Sequence, residues 1–156
     1  MKARVKTAAI VIFSLLAWEA HAACNVSTTS VNFGNYDVFL ATPLDSTGTT
    51  TVWCDENLKS NMIIDIGPSG NSGGFQPRKM RRSSGSDLLD YNLYTNSSRT
   101  TVWGNGTAGT STVNVGGGRL KKNEPPTSLT IFGRVPPGQN VSVGTYSDTL
   151  VVTITW

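Results

Sequence analysis

Histidine is nearly missing from this sequence: among 156 residues only His21 carries an imidazole. General acid–base catalysis and zinc binding both rely on that side chain, so its scarcity speaks against either. Cysteine is scarce too, with Cys24 and Cys54 alone, and two sulfurs without histidine make a poor zinc site. Charged residues are 15% of the chain, and their carboxylates are scattered. Asp87 with Asp90, or Asp55 with Glu56, are the nearest to a catalytic pair. Their surroundings are not apolar enough to raise a pKa, and they read as solvated strand ends. No catalytic residue, metal site or cofactor is therefore expected.

The first 22 residues explain where the histidine goes. Lys2, Arg4 and Lys6 precede an apolar stretch from about Ala8 to Trp18, and Ala20-His21-Ala22 has the A-x-A form of a cleavage site. This is the pattern of a signal peptide over 1–22, with a mature domain over 23–156. About 11 apolar residues are too few to span a bilayer as an uncleaved anchor, so no membrane span is expected after cleavage. Lipid attachment at Cys24 needs a large aliphatic residue three places ahead, where His21 stands. Cleavage leaves ten basic against nine acidic side chains, a net charge of +1. The basic balance of the whole chain is then no sign of nucleic acid.

An exported domain carries its two cysteines into an oxidising compartment, where such a pair most often bonds. A loop of about 30 residues closed by a disulfide is worth roughly 3 to 4 kcal/mol in the chain-entropy view.

Beyond the leader, apolar residues never recur at helical spacing for two turns, whereas period-two alternation recurs repeatedly. Val31 and Phe33 alternate in "SVNFG", Val52 and Cys54 oppose Trp53, and Met62, Ile64 and Ile66 oppose Ile63 and Asp65 before Gly67-Pro68 ends the run. Leu89, Tyr91 and Leu93 form a fourth run, "TVWG" a short one, and Leu129, Ile131 and Gly133 another. The last, "VGTYSDTLVVTITW", puts Leu150, Val152, Ile154 and Trp156 on one face. About six or seven strands in one domain predict an all-β, immunoglobulin-like β-sandwich, with the cysteines tying the first strand to the next. Residues 69–86 and 104–128, rich in glycine, serine and threonine, read as long loops.

Other patterns offer less. Gly104 to Gly109 spells G-x-G-x-x-G, but a threonine-rich stretch follows where a phosphate-binding helix would have to begin, so it reads as a hairpin loop. Arg78, Lys79, Arg81 and Arg82 form a basic cluster that offers contact to an anionic surface; a solvated loop flank is the alternative. Nucleic acid is not expected there, since aromatic platforms are lacking apart from Phe75. Sequons start at Asn25, Asn96, Asn105 and Asn140 and matter only where eukaryotic glycosylation acts.

Five stretches together resemble the spore coat protein U family, whose members include subunits of archaic chaperone-usher pili. They are "ACNVSTTSVNFGNYD", "ATPLDSTGTTTVWC", "RKM" at 78–80, "LDYNLYTNSSRTTVWGNGTAGT" and "FGRVPPGQNVSVGTYSDTLVVTITW". The resemblance implies an incomplete sandwich lacking its final strand, completed by a donor strand in a groove between the first and last strands. Groove residues would be Val31, Phe33, Leu150, Val152, Ile154 and Trp156. Implied partners are a periplasmic chaperone, an outer-membrane usher and other pilus or coat subunits, at the cell surface or in an extracellular coat, with a role in adhesion or biofilm formation. A donating subunit needs about ten alternating residues ahead of its first cysteine, and cleavage after Ala22 leaves only Ala23, so the expectation is an acceptor at a tip or other terminal position. The contrasting reading is a freestanding carbohydrate-binding sandwich using the long loops and the exposed members of Tyr94, Trp103 and Phe75.

Overall fold

A computed structural model describes residues 24–156. The expected leader, its cleavage site and His21 lie outside the described residues. Nine strands follow in order: β1 (Cys24–Thr29), β2 (Leu44–Cys54), β3 (Met62–Ile66), β4 (Arg78–Arg82), β5 (Leu88–Tyr94), β6 (Val113–Val115), β7 (Thr127–Val135), β8 (Tyr146–Ser147) and β9 (Val152–Thr155). One 3-10 turn, Gly117–Arg119, interrupts them. Among the described residues no helix is long and apolar enough to cross a membrane.

Six strands form one sheet in the order β1-β2-β7-β5-β4-β8, and three form the other in the order β6-β3-β9; all pairings are antiparallel. Alternation decides which side of each strand faces inward. Gly48, Thr50, Val52 and Cys54 of β2 point to the core, and the threonines and Trp53 between them point away. In β7 the inward set is Leu129, Ile131, Gly133 and Val135, and the register Leu44↔Val135 to Val52↔Thr127 lays the two inward sets side by side. Met62, Ile64 and Ile66 of β3 close the core from the other layer, with Tyr91, Leu93, Trp103 and Val115 between. Cys24 and Cys54 are ladder partners and form the disulfide that the sequence led us to expect.

The structure corrects three expectations. The two long glycine-rich stretches contain strands: β4 lies within 69–86 and β6 within 104–128. β4 escaped the alternation test because its inward side carries Arg78 beside Met80, and β6 has only three residues, too few for a period. Val31 and Phe33 alternate as expected but lie in no strand, because the β1–β2 ladder ends at Thr29↔Thr49.

Candidate functional site

Two stretches frame the candidate groove, and the sheet beneath positions the first of them. Residues 30–36 leave β1 and cross the inward face of the six-stranded sheet where that sheet has no side chains. A Cβ on Gly48 would stand 2.8 Å from the Thr29 carbonyl oxygen and 2.9 Å from Val31 Cγ2; one on Gly133 would stand 2.6 Å from Val31 Cγ1 and 2.8 Å from Phe33 Cζ. Val31 and Phe33 sit in that notch, and Phe33 meets the Tyr91 ring edge-on, with centroids 6.0 Å apart. Ser46 Oγ donates to the Asn32 carbonyl at 2.5 Å. The chain then bends at Gly34, whose φ of +73° suits glycine, with Asn32 Oδ1 accepting from its N–H.

Side chains therefore hold this crossing, and among the described residues its main chain joins no ladder. We expect Gly133→Val to displace both Val31 and Phe33, lowering stability by about 1 to 3 kcal/mol as overpacking does. A urea titration that finds the variant as stable as the parent would show that the notch can relax.

The second stretch is the C-terminal one. β9 pairs with β3 through Ile63↔Thr155 to Ile66↔Val152 and stands at the edge of its sheet. Leu150, Val152 and Ile154 are half-buried against the core, Trp156 is 46% exposed and Val151, facing outward, 69%.

The basic cluster does not survive as a unit. Arg78 is wholly buried, held by carbonyl oxygens of Ile66, Gly67 and Trp103 and by Asn92 Oδ1, with its guanidinium 5.4 Å from the Phe75 ring. Burial lowers its pKa, against the opposing influence of Tyr91 and Asp148. An inward-facing residue of β4 cannot reach an anionic surface. Lys79 pairs with Asp90 and Arg82 with Asp87, which also separates the two aspartates, while Arg81 remains exposed and touches Asn71. Of the three aromatics whose exposed members could meet a sugar, Tyr94 and Phe75 are half-buried. Trp103 is 1% exposed, its indole N–H donating to the Ile64 carbonyl, and Phe75 underlies Arg78.

Other residues near the crossing gave little signal in sequence. Tyr91 donates to Asp148 at 2.8 Å, and burial, then that bond, push its hydroxyl far above the usual range. Tyr36 donates to the Pro136 carbonyl and accepts from the Gln139 N–H. Gln139 in turn grips Asp90 through its side-chain amide. A glutamine just after Pro136-Pro137-Gly138 is the one visible cue, since prolines there deny β7 a donor.

Among the described residues no group of three or more histidines, cysteines, aspartates or glutamates could hold a metal ion. The 104–109 run is a loop in which the Gly104 N–H donates to the Ser111 carbonyl, and the next strand is β6.

Comparison with known proteins completes the description. A family model described as the Spore Coat Protein U domain matches residues 12–153. Protein U of Myxococcus xanthus is 36% identical over 137 residues, covering 81% of this chain and 72% of its own. Among solved structures, the chain superposes with a TM-score of 0.53 at 23% identity on a chain of the CsuC–CsuE chaperone–tip adhesion subunit pre-assembly complex, from the archaic chaperone-usher Csu pili of Acinetobacter baumannii. That match covers 86% of this chain and 40% of the other, so the likeness is to about two fifths of that chain. It is a likeness of fold, and the fold is an immunoglobulin-like, all-β sandwich.

Proposed function

The chain belongs to the Spore Coat Protein U domain family, and from that premise we propose that it is a non-catalytic structural subunit of an extracellular pilus or coat, completed by a strand from another molecule. One observation carries this reading. β9 has a ladder partner on one side only, and its inward residues Leu150, Val152 and Ile154 stay half-buried beside an exposed Trp156. Unpaired main-chain groups along such an edge take up an added strand, and alternate side chains of that strand fill the spaces between apolar residues. Full burial of a large apolar side chain is worth roughly 1.5 to 3 kcal/mol, so covering the exposed half of these four contributes roughly 3 to 6 kcal/mol. The crossing that carries Val31 and Phe33, whose main chain is also outside any ladder, supplies the second wall of the groove.

In this reading a periplasmic chaperone lends the strand first, an outer-membrane usher oversees its replacement, and a neighbouring subunit supplies the permanent one. The product lies at the cell surface and serves adhesion, biofilm or coat formation. Cleavage after Ala22 leaves one residue ahead of Cys24, which suits an acceptor at a terminal position. Sequencing the N-terminus of the secreted protein tests that placement, and a start well upstream of Ala23 would overturn it.

The groove itself is tested by melting the protein with and without a synthetic peptide of about ten residues, valine and isoleucine alternating with threonine and lysine. At a hundredfold excess over Kd, binding adds about 2.7 kcal/mol, which for a domain of this size raises Tm by roughly 10 °C. An unchanged Tm, with the protein monomeric at high concentration, would defeat the acceptor reading.

A further inference from the structure

β5 pairs with β7 through Asn92↔Arg134, Leu93↔Gly133 and Tyr94↔Phe132. Two residues further along this register Asp90 would face Pro136, which has no N–H to give. The side chain of Gln139 replaces the missing peptide. Its Oε1 accepts from the Asp90 N–H at 2.7 Å, and its Nε2 donates to the Asp90 carbonyl at 2.9 Å and to the Pro136 carbonyl at 3.1 Å. From the same loop the Gln139 main-chain N–H donates to the Tyr36 hydroxyl at 2.8 Å, and that hydroxyl donates to the Pro136 carbonyl at 3.1 Å.

A continuous chain of hydrogen bonds thus joins β5, the loop after β7 and the residue at which the 30–36 crossing ends. The crossing has no ladder of its own, so its far end depends on this connection, much as its near end depends on Ser46. We propose that Tyr36 and Gln139 are positioning residues: they clasp the crossing so that Val31 and Phe33 stand in place as a groove wall before any strand arrives. The proposal rests on the acceptor reading for its purpose, though not for its geometry.

Two measurements on the full chain test it, using Tyr36→Phe, Gln139→Ala and Gln139→Glu. The first needs no ligand: nuclear Overhauser contacts between the Phe33 and Tyr91 rings in the free protein. Tyr36→Phe and Gln139→Ala should lose them while the amides of β2 and β7 keep their exchange protection. Gln139→Glu, which retains the acceptor for Asp90 and loses the donors, should be intermediate. Ring contacts that persist in both Tyr36→Phe and Gln139→Ala would overturn the clasp.

The second is stopped-flow capture of the alternating peptide described above. Each hydrogen bond removed should slow association about five- to tenfold, with little change in the dissociation rate. Asp45→Ala, which removes an ion-pair partner of Arg134 on the outer face of the same sheet, should leave capture unchanged and serves as the control for general weakening. Lost ring contacts with an unaltered capture rate would overturn the clasp's part in strand uptake. If the parent captures no peptide, the acceptor reading falls, and the ring contacts still decide the clasp.

Discussion

Replacing Arg78 by alanine should cost about 3 to 5 kcal/mol, enough to leave much of the protein unfolded, since single domains have only about 5 to 15 kcal/mol to lose. The guanidinium is fully buried and reaches four acceptors: Nε and Nη2 the Gly67 carbonyl, Nη2 also the Ile66 and Trp103 carbonyls, and Nη1 Asn92 Oδ1. These acceptors come from the last residue of β3 and the one after it, from β5 and from Trp103, the last residue of "TVW". One side chain therefore joins the two layers across their polar seam. Alanine would leave several carbonyls dry and unpaired and open a cavity beneath Phe75. Lysine should recover little, because a single ammonium on a flexible stem cannot match a planar fork of five donors. Arg81→Ala, three residues along on the exposed face of the same strand, should change stability by less than about 0.5 kcal/mol. Urea midpoints for the three variants check this. A loss below about 1 kcal/mol for Arg78→Ala would mean that water or a rearranged Phe75 can satisfy the seam.

The second large effect is expected from reduction. β1 is an edge strand whose one ladder partner is β2, and the Cys24–Cys54 bond closes its first rung. The enclosed loop contains β1, the crossing and nearly all of β2, so breaking it frees the unfolded chain over about 30 residues, roughly 3 to 4 kcal/mol in the entropy model. Cys24→Ser/Cys54→Ser, or dithiothreitol on the parent, should lower the urea midpoint accordingly. Peptide capture should suffer as well, since a fraying β1 carries Val31 and Phe33 with it. Equal midpoints with and without reductant would show that the ladder alone holds β1.

Much of the sandwich was legible because its central strands alternate cleanly. β2, β3, β5 and β7 each show their inward set in sequence, and Gly67-Pro68 marks the end of β3. Legibility failed where the inward position is not apolar. Arg78 looked like one of four surface cations because nothing local distinguishes a buried guanidinium from an exposed one; its acceptors come from residues up to 25 positions away. Whether Trp103 is exposed enough to meet a sugar was illegible for the same reason; its indole N–H is spent on β3. Val31 and Phe33 kept the right parity but lacked a ladder, because what they pack on are glycines in other strands. The Tyr36–Gln139 connection spans 103 residues of sequence and rests on a proline's missing hydrogen, which only the register of β5 and β7 makes visible.

The bare patch formed by Gly48 and Gly133 sets the geometry of the proposed acceptor slot. The height at which residues 31 and 33 ride above the sheet is fixed by two hydrogens on other strands, not by the composition of the strap itself. Compensated swaps, with alanine at position 133 and a trimmed residue at 31 or 33, would therefore retune the slot's width in small increments, and a thermodynamic cycle over the pair would read out that coupling directly.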